Sequence, residues 1–256
     1  MISLPFSPRR DGAPHPHVPA GVRVYAIGDI HGRADLLDQM FKRIDADFAQ
    51  APLLHRIEVF LGDYVDRGPA SRQVLELLIE RGRIHLSERG RKHQTIFLKG
   101  NHETLLVNFS ANPSTLVSWQ RLGGLETLMS YGLTPSMNAN ARTQAELAVA
   151  FDKALPPSHR RFLTDLKPSF TCGDYFFVHA GVRPGVALEK QREEDLLWIR
   201  QEFLLCEDEF DKIIVHGHTP VLQPEFRSNR INIDTGAYAT GRLSCLVLES
   251  DKMRII

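Results

Sequence analysis

Residues 22–32 read VRVYAIGDIHG and residues 57–68 read IEVFLGDYVDRG. Each is a short β-branched and aromatic run that ends in Gly and is followed at once by Asp. Amphipathic stretches come next, ADLLDQMFKRIDADF (34–48) and SRQVLELLIERG (71–82), with apolar residues three and four apart. Such runs read as strands and such stretches as helices, so their alternation predicts βαβ units and a helix-covered sheet. TIFLKG (95–100) supplies a third strand. Further on, residues from about 103 to 167 read as mostly helical, with breaks at Pro113, Gly123-Gly124, Gly132, Pro135 and Pro156-Pro157. Strands return at YFFVH (175–179), KIIVHG (212–217), RINID (230–234), LSCLVLE (243–249) and MRII (253–256). In the other direction, residues 1–20 hold Pro5, Pro8, Pro14, Pro16 and Pro19 with almost no apolar periodicity, which predicts a flexible arm. The simplest account is one α/β domain over residues 21–256 with a helical insert at about 104–168.

A chain of 256 residues, 43% hydrophobic and 24% charged, can bury a full core without staples. Its 31 basic and 31 acidic residues leave no cation excess for a nucleic-acid polymer or an anionic membrane, so neither is an expected partner. No apolar stretch approaches the roughly 20 residues of a membrane span, and the N-terminal segment lacks a signal-type apolar run. Cys172, Cys206 and Cys245 are scattered and form no CxxC, which fits reduced thiols and a cytoplasmic location. His15 and His17 read as ordinary arm residues.

The polar residues that metals and phosphates need sit just past the strand runs. Asp29 and His31 lie in GDIHG, Asp63, Asp66 and Arg67 in GDYVDRG, and Asn101, His102 and Glu103 in GNHE; His179 ends YFFVH, and His216 and His218 end KIIVHGH. Loops at the carboxyl ends of strands converge in an open α/β sheet, so these clusters are expected at one edge. Carboxylate, amide and imidazole donors without thiolate suit Mn, Fe or Zn. Six side chains exceed one tetrahedral site and suit two ions that share a carboxylate.

In this order GDIHG, GDYVDRG, GNHE, VHAG and HGHTP resemble the calcineurin-like metallophosphoesterases, and more narrowly their bacterial and phage serine/threonine protein phosphatase branch. The resemblance implies two mixed β-sheets in a sandwich flanked by helices, with two divalent cations, Mn first and Fe or Zn as alternatives, at one end. It implies Asp29 and His31 on the first metal, Asp63 bridging, and Asn101, His179 and His218 on the second. His102 would be the general acid with Asp66 orienting it. Arg67 and Arg200, the latter in LLWIRQE, would grip phosphate together with Asn101.

The activity so implied is hydrolysis of phosphomonoesters by in-line attack of a metal-bridging hydroxide. The substrate is expected to be a phosphoprotein or a phosphorylated small molecule. Phosphoserine and phosphothreonine come first, because GDYVDRG keeps Asp66 and GNHE keeps Glu103, where dinucleoside polyphosphate hydrolases commonly carry GDLVARG and GNHD. Hydrolysis of diadenosine tetraphosphate is the alternative. Trp119, Leu122 and Tyr131 of the insert are expected to stabilise it or to line a substrate wall.

Overall fold

Val24 and Ala26 face one way from their strand and Tyr25 and Ile27 the other, yet all four are buried. Successive side chains on a strand point to opposite faces, so this strand needs an apolar layer on each side. The computed structural model describes residues 15–51, 54–87, 93–136 and 138–256 and shows both layers.

The first half of the chain runs β1 (Val22–Ile27), α1 (Ala34–Phe48), β2 (His55–Phe60), α2 (Ser71–Ser87) and β3 (His93–Phe97). The helical stretch follows as α3 (Asn101–Ala111), α4 (Leu116–Trp119), α5 (Gly124–Ser130), α6 (Ala141–Ala154) and α7 (Pro157–Thr164). After it come β4 (Ser169–Cys172), β5 (Tyr175–Val178), α8 (Glu193–Trp198), α9 (Gln201–Leu204) and β6 (Ile213–His216). The chain closes with β7 (Glu225–Phe226), β8 (Arg230–Asn232), α10 (Ala237–Thr240), β9 (Cys245–Glu249) and β10 (Lys252–Ile255).

Two mixed five-stranded sheets result, ordered β10-β9-β1-β2-β3 and β4-β5-β6-β8-β7. In the first, β1, β2 and β3 are parallel while β9 and β10 run antiparallel. In the second, β5, β6 and β8 are parallel between antiparallel edges. Val24, Ala26, Ile57 and Val59 meet Phe177, Ile213, Val215 and Ile231 between the sheets. The outer face of the first sheet, with Tyr25, Ile27 and Phe60, packs on Leu37 and Phe41 of α1 and Leu75 and Leu78 of α2. The outer face of the second, with Phe176, Val178 and Ile214, packs on Leu196 and Phe203. The layers are therefore helix, sheet, sheet, helix, the sandwich that the motifs lead one to expect. Among the described residues, no helix is long and apolar enough to cross a membrane.

Two strands were not expected from the sequence. β4 (SFTC) and β7 (EF) are edge strands that lack the continuous apolar run marking β5 and β6, which are no longer than β4. The expected arm also departs from the structure. Val18 is buried, and its N–H donates to Ser250 O at 3.0 Å. His17 O accepts from Asp174 N at 3.0 Å, and Pro16 O accepts from the Tyr175 hydroxyl at 3.3 Å. Proline-rich chain lacks periodicity whether it is loose or docked, because its contacts here are mostly made by main-chain groups. Residues 1–14 of that arm lie outside the described residues.

One buried charge sits among the apolar layers. Glu58 of β2 is fully buried; its carboxylate accepts from Arg81 of α2 at 2.8 and 3.0 Å and from Arg56, and Asp45 of α1 binds both arginines. Burial alone would raise Glu58, but Arg81 and then Arg56 hold its carboxyl below the ordinary value. A depressed folded value means that the stabilisation is complete above the unfolded pKa, about 4.3, and is lost as pH falls through the folded one. Glu58→Gln leaves two largely buried guanidinium groups short of a counter-charge and should cost about 3 kcal/mol in urea unfolding at pH 7. The difference from the parent should narrow in acid, where the parent loses the same charge; a gap that is flat from pH 7 to pH 3 contradicts this account.

Candidate active site

The loops that follow the parallel strands are tied to one another by their backbones. Ile30 and His31 N–H both donate to Asp63 O, at 3.1 and 2.8 Å, and Gly32 N–H donates to Tyr64 O at 2.9 Å. Across the second sheet, Gly217 N–H donates to His179 O at 2.8 Å. Contacts this close need glycine at two points: a Cβ on Gly100 would overlap Asp63 Oδ1, and one on Gly217 would overlap Asp29 Oδ1. The backbone is also forced. Among the described residues, six that are not glycine have positive φ: His31, Asp63, Asp66, Arg67, His218 and Ser250. Five of these six are residues singled out from the sequence motifs. Such conformations cost about 1–3 kcal/mol each and persist only where surrounding contacts impose them.

Asp63 stands at the centre. Its Oδ2 lies 3.4 Å from His31 Nε2, and its Oδ1 lies 3.4 Å from His179 Nε2. His31 Nδ1 is 2.9 Å from Val65 O and His179 Nδ1 is 3.0 Å from Leu61 O. A carbonyl can only accept, so both Nδ1 atoms carry the proton and both Nε2 atoms turn a lone pair inward. Burial keeps these rings neutral, pushing His31 down to about 3 and His179 below its ordinary value. Asn101, at the start of α3, places Oδ1 2.9 Å from both His179 Nε2 and His218 Nδ1. His218 is pushed down to about 2 by burial and by His179.

Asp29 accepts from His218 N–H through Oδ2 at 3.0 Å, while its Oδ1 is buried without a hydrogen-bond partner, as is His218 Nε2. Burial and the charges of Asp234 and Asp63 push Asp29 well up, whereas the imidazoles of His179, His102, His31 and His218 overcome the effect of burial and hold Asp63 below the usual carboxylate range. Buried acceptors facing one another at 3–3.5 Å, with a carboxylate oxygen left over, are destabilising unless a cation lies among them. The donor set therefore fits divalent metal: Asp63, His179 and His218 have ligand atoms within reach of one ion, and on the other side of Asp63 so do His31 and Asp63 together with His102, which the resemblance reads as the acid and not as a ligand.

On the other side of Asp63, His102 Nδ1 lies 2.7 Å from Asp66 Oδ2, and His102 Nε2 faces Asp63 Oδ2 at 3.7 Å. Burial alone would lower His102, but the charges of Asp63 and Asp66 hold it above its ordinary value. Arg67 is half-buried, with its guanidinium 4.6 Å from the centre of the Tyr238 ring. Arg200 is exposed at the break between α8 and α9, not on a helix face, and it reaches Thr219 Oγ1 at 3.3 Å. The eight expected residues Asp29, His31, Asp63, Asp66, Asn101, His102, His179 and His218, with both arginines, thus lie around one edge of the sandwich. His216 instead packs edge-on against Phe203 at 4.9 Å.

Further residues contribute to the site, and of these Asp234 and Trp198 are outside the motif assignments. Asp234, just past β8, is buried and is pushed up to about 6 by burial. An aspartate just past a strand run also marks Asp29 and Asp63, but in RINID it falls at the end of the expected strand itself. Glu103 accepts from the N–H groups of Asp63, Tyr64 and Gly100 at 3.0, 2.8 and 2.9 Å, which pins two of the loops together. The aromatics at the rim are Tyr238, edge-on to His31 at 5.4 Å, and Trp198, edge-on to His218 at 6.2 Å. Trp119 and Tyr131 do not line a wall. Both are buried, and Trp119 donates its indole N–H to Asp66.

A family model described as calcineurin-like phosphoesterase matches residues 22–248. The chain is 28% identical to a bis(5'-nucleosyl)-tetraphosphatase PrpE (asymmetrical) of Bacillus thuringiensis (strain Al Hakam), over 86% of this chain and 88% of that protein. A crystal structure provisionally named a diadenosine tetraphosphatase superposes with a TM-score of 0.58 at 19% identity, covering 94% of this chain and 98% of that one. A protein serine/threonine phosphatase from Saccharomyces cerevisiae superposes with a TM-score of 0.55 at 17% identity, covering 92% and 79%. At those identities the two structures speak for the fold alone.

Proposed function

The chain belongs to the calcineurin-like phosphoesterases, a family of hydrolases, and within it we propose that this enzyme cleaves dinucleoside polyphosphates of the diadenosine tetraphosphate class. The observation that carries this is the 28% identity to the PrpE tetraphosphatase across most of both chains. It reverses the order drawn from GDYVDRG and GNHE, which put phosphoserine and phosphothreonine first. Two motif positions weigh less than similarity along the whole chain.

Asp29, His31, Asp63, Asn101, His179 and His218 would hold two divalent cations, Mn first and Fe or Zn next. Ions bound there supply Lewis-acid charge neutralisation and acidify water. The chain's own groups do the rest. Arg67 and Arg200 bind phosphoryl oxygens with their planar forks, joined by the Asn101 amide. His102 carries the proton for the departing oxygen on Nε2, and Asp66 holds its Nδ1–H. Tyr238, with one side on Arg67, and Trp198, beside His218, are half-exposed rings on which a nucleobase can stack.

The phosphoprotein reading keeps one observation of its own, the 2.7 Å pair between His102 and Asp66. An alkoxide leaving group needs such an acid more than a nucleotide phosphate does. Measuring kcat/KM for diadenosine tetraphosphate, a phosphoserine peptide and para-nitrophenyl phosphate at one pH with Mn²⁺ separates the readings. The dinucleotide should win over the peptide by tenfold or more, about 1.4 kcal/mol of transition-state preference. A tenfold win for the peptide replaces the proposal with the phosphoprotein reading.

A further inference from the structure

The helical insert reaches the candidate acid–base pair from behind, and its contacts fall on one residue. Asp66 Oδ2 accepts from Trp119 Nε1 at 2.7 Å and lies 2.7 Å from His102 Nδ1. Asp66 Oδ1 accepts from the Thr127 hydroxyl at 2.6 Å, and Asp66 N–H donates back to Thr127 Oγ1 at 2.9 Å. Ser71 Oγ, 3.0 Å from the same N–H, completes the ring. The next residue is held too: Arg67 N–H donates to Gly123 O at 3.1 Å, and a Cβ on Gly123 would lie 2.5 Å from Arg67 N. All of these residues are buried except Arg67 and Gly123, which are half-buried. Asp66 and Arg67 both have positive φ, 71° and 65°.

We propose that Trp119 and Thr127 are positioning residues for the reaction, fixing the Asp66 carboxylate so that His102 presents its Nε2, and not its Nδ1, to the leaving oxygen. This rests on the reading of His102 as the proton carrier. Donor counting supports it. An indole N–H can only donate, so Trp119 takes up one of the two lone pairs of Oδ2. The other lone pair of an ionised carboxylate accepts from His102 Nδ1–H, 2.7 Å away, which leaves Nε2 as the working nitrogen. Thr127 acts on Asp66 at two points. Accepting from the N–H while donating to the carboxylate holds main chain and side chain together in a backbone region that non-glycine residues avoid. Residues 53 and 61 positions downstream of Asp66 thus set the tautomer and orientation of the histidine. The insert reads here as a brace for the chemistry, and its buried aromatic rings are what keep the brace stiff: Trp119 packs against Phe109 and Phe151 at 5.3 and 6.2 Å.

The test is a leaving-group series of aryl and alkyl phosphates with Thr127→Val, Thr127→Ser, Trp119→Phe and His102→Asn, each checked for folding and bound metal. General acids contribute roughly 10²–10⁴-fold, so loosening one should lower kcat for the poorest leaving group by about 10–100-fold. The loss should shrink as the leaving-group pKa falls, KM should move little, and metal content should hold. Thr127→Ser keeps the hydroxyl and should recover most of the rate that Thr127→Val loses. Trp119→Phe should repeat the Thr127→Val pattern; if it fails to fold, the Val and Ser pair at position 127 decides alone. Equal losses across the series, or no recovery with serine, overturn the positioning role while a leaving-group-dependent His102→Asn leaves the acid assignment standing. A His102→Asn variant whose loss ignores the leaving group removes both.

Discussion

Asp63→Asn is expected to lower kcat by at least 10²–10³-fold and to reduce bound metal from two ions per chain to one or fewer. Each carboxylate oxygen of Asp63 faces a different histidine lone pair, Oδ2 toward His31 and Oδ1 toward His179, both at 3.4 Å. An amide keeps one oxygen and turns the other into a donor, so one of the two groupings loses its shared anionic ligand. Asparagine tolerates the left-handed backbone at this position, φ 51°, as well as aspartate does. The substitution therefore reads charge with little added strain. Elemental analysis of Mn-loaded protein beside steady-state kinetics checks it. Two ions retained at full activity would sink the bridged arrangement.

The second large effect is at His102. His102→Asn should lower kcat by roughly 10²–10⁴-fold on substrates with poor leaving groups, the range for loss of a general acid. KM should change much less, because the proton is needed mainly in the transition state. On para-nitrophenyl phosphate, whose phenolate departs with little help, the loss should contract. Position 102 also offers its N–H to Asp63 Oδ1 at 3.2 Å, and asparagine preserves that backbone donor. Equal losses on aryl and alkyl substrates would reassign His102 to structure or metal binding.

How far these effects could be foreseen varies from place to place along the chain. β1 and β2 announce themselves because strands buried on both faces are mostly apolar, the edge strand β3 shows only in the Thr95–Leu98 run, and Asp29, Asp63 and Asn101 follow the three. The helices α1 and α2 carry the 3.6-residue periodicity that one-sided packing demands. β4 and β7 lack a continuous apolar run, and Pro16–Val18 dock through main-chain groups and the single buried side chain of Val18, too little for a pattern. Trp119 and Thr127 were invisible as partners of Asp66, since a hydrogen bond across 53 or 61 residues leaves no trace in local spacing. Asp234 was legible by the rule already in use and was passed over. Substrate preference lay deepest, because two loop positions, 66 and 103, say little about what the rim accepts.

The donors are divided between the two sheets. Asp29, His31, Asp63 and Asn101 follow β1, β2 and β3 of one, while His179 and His218 follow β5 and β6 of the other. A cation that takes ligands from both sides is thermodynamically linked to the docking of one sheet on the other. Each tenfold excess of free ion over its dissociation constant then adds about 1.4 kcal/mol to the closed sandwich. Ions held there would act as rivets through the edge, so the free concentration of metal would raise the stability of the fold along with the occupancy of the site.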